Sequence, residues 1–287
     1  MRFAEDPALA RVLENYGVAP GALLGSGGEA SVYALDAERV LRVHRLGPTG
    51  ATIARRASLL EQLEKSAPGL PFAIPQVLAR ACVHERWITI EPRLAGRSLA
   101  EVLGELAGDA RDSLVTSYLD VGQRLAEIRL PQSFYGDLLA DDAIQTASFR
   151  QYLERRARRS LEVAGEPLRH VDPARLAQAL PEASEPTFIY LDAHPSNLLV
   201  DAGRITAVVD FGGAAILGEQ QFGTIVPATA LTDRDQPVAQ AWLRERNLSE
   251  LYSPTRDWMA AFWSFARDDH FLFEWCQRVL GAASQTP

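Results

Sequence analysis

Phe188-Ile189-Tyr190-Leu191-Asp192-Ala193-His194-Pro195-Ser196-Asn197-Leu198-Leu199-Val200 is followed by a turn at 201–204, an apolar run at 205–209 and then Asp210-Phe211-Gly212. Asp192 stands five residues before Asn197, and the two β-type runs around the turn predict a hairpin that carries Asp210 back toward both. Three oxygen-bearing side chains then surround one cleft. Phosphoryl transfer requires such a set. Mg²⁺ takes hard oxygen ligands and bridges phosphate oxygens, so an Asp and an Asn can hold it, while a separate carboxylate orients the acceptor hydroxyl and accepts its proton. Taken singly, an Asp in a loop is a turn or cap residue. The joint spacing is what points to chemistry.

The segment resembles the catalytic segment of the aminoglycoside phosphotransferase family, H-G-D-x-H-x-x-N followed by a hairpin and I-D-F/W. That resemblance implies a protein-kinase-like fold, with Asp192 as catalytic base and Asn197 and Asp210 as Mg²⁺ ligands. His194 matches the second histidine of the pattern, a loop-structuring residue, and receives no acid or base role. Two departures stand out: Tyr190 replaces the first histidine, and Gly218-Glu219-Gln220-Gln221-Phe222-Gly223 lacks the final aspartate of G-D-x-x-x-D. Both positions brace the catalytic loop in relatives, so the departures bear on the rate.

Upstream, Gly25-Ser26-Gly27-Gly28-Glu29-Ala30-Ser31-Val32 resembles the kinase glycine-rich loop G-x-G-x-x-G-x-V, with Ala30 in the third glycine position. Its residues Gly25, Ser26, Gly27 and Gly28 are expected to fold over the phosphates of ATP or GTP, where a β-carbon would obstruct backbone donors. Val40-Leu41-Arg42-Val43 resembles V-A-I-K with Arg42 in the lysine position, which keeps the charge and offers a bidentate fork. The following helix places Arg56 where relatives carry glutamate in R-E-A-x-x-L, leaving Glu61, little more than a turn on, as the candidate partner of Arg42. Residues 88–99 resemble the family's inter-lobe linker, and the backbone around Glu91 and Arg93 is expected to meet the adenine edge.

The rest of the chain fits an α+β architecture. Apolar spacing predicts a helix at 7–16, strands at 22–25, 31–35 and 40–44, a helix at 52–65, and strands at 76–83 and 87–92. From residue 98 onward helical periods dominate, at 98–107, 112–129, 148–163, 173–180 and 255–280, around the β-rich island at 187–217. Strands segregated from helices imply two unequal lobes, a small antiparallel nucleotide-binding lobe over 1–94 and a larger helical lobe over 95–287 with the catalytic loop and acceptor site. Within the last helix, Trp258, Phe262 and Phe265 recur as a core stripe that competes with a role as aromatic walls for an amine.

Composition narrows the function further. The 287 residues are 47% hydrophobic, carry a net charge of −8 and include two widely separated cysteines, Cys82 and Cys276. That balance argues against nucleic-acid binding, which needs a basic surface, and the cysteines suggest neither zinc nor a disulfide, only ordinary half-buried thiols. The arginines of 150–159 accompany an apolar stripe and read as a solvated helix face. No long apolar run and no leader pattern at the N-terminus are present, so a cytoplasmic protein without a membrane partner is expected, as monomer or homodimer. No A-P-E follows Asp210, which favours a small-molecule acceptor over a protein. Residues 1–94 hold 11 basic and 10 acidic side chains and 95–287 hold 18 and 27, for formal charges of +1 and −9, an imbalance that would attract a cationic acceptor. The readings are a drug-modifying phosphotransferase, a kinase of a metabolite such as an amino sugar, choline-like alcohol or amino acid, and a silent nucleotide-binding regulator.

Overall fold

A computed structural model describes residues 6–283. The N-terminal stretch 1–5, where the absence of a leader pattern was read, lies outside them. Helix α1 (Pro7–Asn15) opens the chain, its first turn capped by the Asp6 carboxylate, which accepts from the amides of Ala8 and Leu9. Strands β1 (Leu23–Ser26), β2 (Ala30–Ala34) and β3 (Arg39–His44) follow, then helix α2 (Gly50–Ser66) and strands β4 (Ala79–Val83) and β5 (Arg86–Pro92). They form an antiparallel sheet in the order β1-β2-β3-β5-β4. Alternation along β3 sends Leu41 and Val43 into a small core with α1 and turns Arg42 and His44 to the opposite face. That face looks toward the cleft.

The chain leaves the sheet through Gly96, whose φ of +125° and whose approach to Val200, 2.8 Å from the carbonyl oxygen to an ideal Cβ, admit no side chain. Then come β6 (Arg97–Ser98), α3 (Leu99–Glu105), α4 (Gly108–Ala126), β7 (Tyr135–Asp137), β8 (Gln145–Thr146), α5 (Phe149–Ala164) and α6 (Pro173–Gln178). Strands β9 (Thr187–Tyr190), β10 (Leu198–Asp201), β11 (Arg204–Val208) and β12 (Ala215–Gly218) make up the β-rich island. Helices α7 (Gln220–Thr229), α8 (Gln236–Glu245), α9 (Ser249–Trp263) and α10 (His270–Ala283) complete the fold. The hairpin β10–β11 pairs with β6, and β12 lies between β7 and β9. The fold is α+β, with a small antiparallel lobe and a larger, mainly helical one.

Several expectations need correction. The helix read at 255–280 is two helices, because the chain turns at 264–269, where the Ser264 hydroxyl donates to the Ala261 carbonyl and the Asp269 carboxylate accepts from the Leu272 amide. Helices α7 and α8 and strands β7 and β8 were not foreseen. Neither cysteine is half-buried: Cys82 is exposed and Cys276 buried, both as free thiols. Of the arginines of α5, Arg150, Arg158 and Arg159 lie on the solvated face, paired to Glu182, Glu154 and Asp142, whereas Arg156 turns inward, its guanidinium 4.7 Å from the centre of the Phe262 ring. Among the described residues no helix is long and apolar enough to cross a membrane.

Candidate active site

The loop between β9 and β10 is tied down on every side. The Leu191 amide donates to Ala214 O at 2.9 Å, and a single 3-10 turn at Pro195–Asn197 is capped by His194, whose Nδ1 accepts from the Ser196 amide at 3.2 Å. His194 therefore structures the loop, as its position in the motif implies. The Tyr118 hydroxyl, fully buried, reaches from α4 to the carbonyls of Ala193 and Pro227. Asp192 is thus held at the end of a rigid turn. Asn197 Nδ2 donates to Asp192 Oδ2 and to the Asp192 carbonyl, both at 2.9 Å, so the motif spacing of five brings the two side chains into contact.

Burial pushes the Asp192 carboxyl up to about 7, the charge of Asp210 adds to the rise, and the Asn197 hydrogen bond opposes it. A carboxyl so placed can exchange a proton near neutral pH. Asp210 itself sits at φ +62°, unusual for a residue with a side chain. Tyr190 stabilises this turn. Its hydroxyl lies 3.0 Å from the carbonyls of Val209 and Asp210 and accepts from Asn197 Nδ2 at 3.2 Å. The tyrosine that departs from the family pattern is therefore the brace of the loop. Position 223 has no room for the missing aspartate: an ideal Cβ there would stand 2.9 Å from Ile189 Cγ1 and 3.1 Å from Ala126 Cβ.

Across the cleft, Arg42 forms an ion pair with Asp210 Oδ1. Burial works against its charge, yet Asp210 and Glu91 hold the guanidinium firmly protonated. The glycine loop closes over this pair. Gly27 lies so near that a Cβ there would stand 3.8 Å from Asp210 Oδ2, whereas Gly25 and Gly28 border open space. Ser26 contributes by bonding Ser31 across the hairpin, Oγ to Oγ, at 3.0 Å. The carboxylate of Glu29 at the loop tip accepts the Gly213 amide at 3.2 Å and fills the space over Gly212. The glycine loop and the Asp210 segment are thus in direct contact.

Glu61 is not the partner of Arg42; it pairs with Lys65 on the exposed face of α2. Arg56, where relatives carry glutamate, is buried with its Nη1 2.6 Å from Glu91 Oε1 and its Nε donating to Phe211 O at 3.0 Å. Burial disfavours the Glu91 charge, but Arg56, Arg42 and the Thr89 hydroxyl hold its carboxyl below the usual range. The side chain of Glu91 is accordingly spent inside the protein, joining β5 through α2 to the Asp210 segment. The amide of Arg93 is also taken, donating to Glu38 O at 2.7 Å, and its side chain is exposed. Asp192, Asn197, Asp210, Arg42 and the glycine loop converge; Glu91 acts beneath them, and Arg93 stands apart on the linker.

On the far side of Asp192 opens a cavity of about 890 Å³. Its walls come from Gly28 of the glycine loop, the catalytic loop, the end of α7 with residues 230–233, one face of α9 and the stretch from Asp269 to Arg278 of α10. Within α9 the residues divide. Trp258 and Phe262 are core, as their spacing implies, but Phe265 is exposed because α9 ends at Trp263, and Met259 and Trp263 line the cavity. The aromatic segment at 257–270 does supply part of the wall, through Met259, Trp263 and Asp269, while the parts on the catalytic loop, α7 and α10 carry no local pattern that joins them in sequence.

Comparison with known proteins places this geometry. A family model described as the phosphotransferase enzyme family matches residues 21–216, more than half of the chain. No curated protein matches the chain in sequence. Among solved structures, a thermostable mutant of aminoglycoside phosphotransferase APH(4)-Ia in its apo form superimposes with a TM-score of 0.66 at 17% identity, over 96% of this chain and 97% of that one. ADP-bound APH(2'')-Ib gives 0.64 at 16%, over 96% and 97%, and the streptomycin–ATP ternary complex of APH(2'')-IIa gives 0.60 at 13%, over 98% and 97%. At such identities the likeness shows the fold, which is protein-kinase-like. The family match adds the chemistry: the chain belongs to the phosphotransferase enzyme family and is a small-molecule phosphotransferase.

Proposed function

We propose that the enzyme transfers the γ-phosphoryl group of ATP or GTP, in a Mg²⁺-dependent reaction, to a hydroxyl of a small amine-bearing molecule, an antibiotic of aminoglycoside type or a metabolite amine, working as a cytoplasmic monomer or homodimer. The observation that carries this reading is the convergence of Asp192, Asn197, Asp210 and Arg42 beneath the glycine loop. Residues 1–94 would bind the nucleotide and 95–287 supply the catalytic loop and the acceptor cavity. Solved structures of similar fold include ADP-bound and streptomycin–ATP-bound aminoglycoside phosphotransferases, which supports a nucleotide donor.

The residues fit a magnesium nucleotide. Arg42 engages Oδ1 of Asp210, leaving Oδ2 toward the glycine loop, and Asn197 turns its Nδ2 to Asp192, leaving its amide oxygen as donor. Among the described residues no three His, Cys, Asp or Glu side chains group as a metal cage, so an ion here would complete its shell with phosphate oxygens and water. Asn197 and Asp210 would hold Mg²⁺, which when bound neutralises phosphate charge. The chain does the rest. Asp192 accepts a hydrogen bond from the acceptor hydroxyl and takes its proton as the oxygen attacks, while Arg42 fixes Asp210 and brings positive charge to the phosphate side. Amides of the glycine loop close over the phosphates and exclude water.

Calorimetry with ATP, with and without Mg²⁺, on the wild type and Asp210→Ala tests the metal assignment. Affinity is expected to fall without the metal and in the variant. Equal affinity in all four combinations removes the assignment. Screening hydroxylated amines for ATP-dependent phosphorylation then identifies the acceptor, and resistance of a host cell to one antibiotic class separates drug modification from a metabolite kinase.

A further inference from the structure

Of the eighteen residues that line the cavity beside Asp192, ten have apolar side chains. Three of these are aromatic rings with faces open to the cavity. Phe271 is 90% exposed at the first turn of α10, and Trp263 and Trp275 present half-buried faces from α9 and α10. Exposed rings gathered around one concavity mark a place that an apolar partner covers. Leu231, Met259 and Leu272 continue the apolar wall between them.

The charged groups are few. Asp192 is reserved for the acceptor hydroxyl. Asp269 accepts from the Leu272 amide through Oδ1 at 3.0 Å, which starts α10, and it keeps its charge and second oxygen at the exposed wall. Arg278 brings a positive charge to the same wall, which repels a second cation. Asp233, exposed at the rim, and Asp269 are the carboxylates that can meet an ammonium group, and against Arg278 they leave this wall one net negative charge. A compound with three or more ammonium groups would leave most of them without a counter-charge and would lay a hydrated face on tryptophan and phenylalanine.

Resting on the phosphotransferase reading above, we infer that the acceptor is a hydroxylated molecule with a broad, ring-bearing apolar face and a single ammonium centre, not a polycationic amino sugar. The apolar face lies on Trp263, Trp275 and Phe271, the ammonium meets Asp233, and the hydroxyl to be phosphorylated points to Asp192. At about 890 Å³ the cavity has room for a molecule of several rings, since ligand sites span about 300–1,000 Å³. During transfer the hydroxyl oxygen bonds to the γ-phosphorus, its proton passes to Asp192 and the nucleoside diphosphate leaves.

The test is a matched series titrated calorimetrically into the full chain with Mg²⁺ and a non-hydrolysable ATP analogue. The probes are glucosamine, N-benzylglucosamine, N-(1-naphthylmethyl)glucosamine and kanamycin. The first three share one amine and the same hydroxyls and differ only in apolar face. Affinity is expected to rise about tenfold or more from glucosamine to the naphthylmethyl compound, in proportion to apolar area buried, with kanamycin no tighter than glucosamine. Phe271→Ala, at a ring exposed enough to leave the fold intact, and Trp275→Ala should each weaken the naphthylmethyl compound about threefold or more. A series that does not rise with ring size, kanamycin binding above the naphthylmethyl compound, or variants that bind that compound like wild type would overturn the inference. Titration of the Mg²⁺–ATP analogue alone into wild type tests the underlying reading separately, since its failure removes the phosphoryl donor and leaves the probe series able to report on the cavity.

Discussion

Asp192 combines two properties at the residue scale: a side chain that borders the acceptor cavity and a carboxyl raised by burial to about 7. In the proposed mechanism its work is confined to the acceptor, so Asp192→Asn should lower kcat by about 10²–10⁴-fold while leaving Mg²⁺–ATP affinity unchanged, as steady-state rates and calorimetry would show. Near wild-type turnover would remove Asp192 from the chemistry. A second titration belongs to His44, 4% exposed on β3 with no hydrogen-bond partner for Nε2. Burial, then the charges of Arg42 and Arg56, lower it from 6.5 to about 3, against a smaller pull from Glu91 and Asp210. The folded pKa lies below the unfolded one, so between 6.5 and about 3 the unfolded chain binds a proton that the folded chain refuses. Stability from this residue is complete above that window and is lost as pH falls through it, by about 2 kcal/mol at pH 5. Asp192 titrates in the opposite sense, so the measurement is a difference: urea unfolding should show wild type losing about 2 kcal/mol more than His44→Leu between pH 7 and pH 5. Spacing alone makes Asp192, Asn197 and Asp210 legible as a candidate set in the sequence. The Arg56–Glu91 pair is not, because its acid sits on β5 instead of the helix where the family pattern places it.

At the scale of elements, α7 illustrates why an expected residue is missing. Gly223 lies where α7 crosses Ile189 of β9 and Ala126 of α4, too close for any Cβ, so this contact fixes how the helix sits under the catalytic loop. Restoring the family's residue by Gly223→Asp would overpack the crossing and bury a carboxylate without a partner. The expected cost is about 3 kcal/mol or more, read as a lowered urea midpoint. A variant as stable as wild type would mean that α7 can shift without consequence. The same helix was hard to see in the sequence because Gly223 and Pro227 interrupt its pattern, and residues 220–229 are apolar on nearly every side. Strand β7 was missed for its length of three residues, and the α9–α10 break was masked by aromatics that continue at helical spacing through Phe265. By contrast, β2, β3 and α2 were readable, since each joins a clear period to turn or capping residues such as Thr49 and Thr52.

For the whole molecule, part of the acidic charge over 95–287, whose formal sum is −9, is paired away from the cleft: Asp235 with Arg111, Asp120 with Arg246 and Glu182 with Arg150. Asp192, Asp210, Asp233 and Asp269 of that lobe border the cleft, so an attraction of cations is focused on them. The lobes are also less separate than their composition suggests. Leu59, Leu60 and Leu63 of α2 and the nearby Phe72 belong to the large core, not to the small one under the sheet. Ala73 bonds both ways with β11, its amide to Thr206 O at 2.8 Å and its carbonyl from the Val208 amide at 3.0 Å. Arg56 adds a hydrogen bond to Phe211 O, and Arg42 an ion pair to Asp210. Cut from the rest, residues 1–94 would expose the inner face of α2 and leave buried Arg42 and Arg56 without their partners across the cleft, while retaining a small core of eight buried residues. So small a core does not sustain an independent domain. A fragment 1–94 is therefore expected to lack a cooperative thermal transition and to give a narrow amide proton spectrum, whereas the full chain unfolds in one transition. A dispersed spectrum from the fragment would show that the sheet folds alone and that the contacts of α2 with the large core only dock two finished lobes.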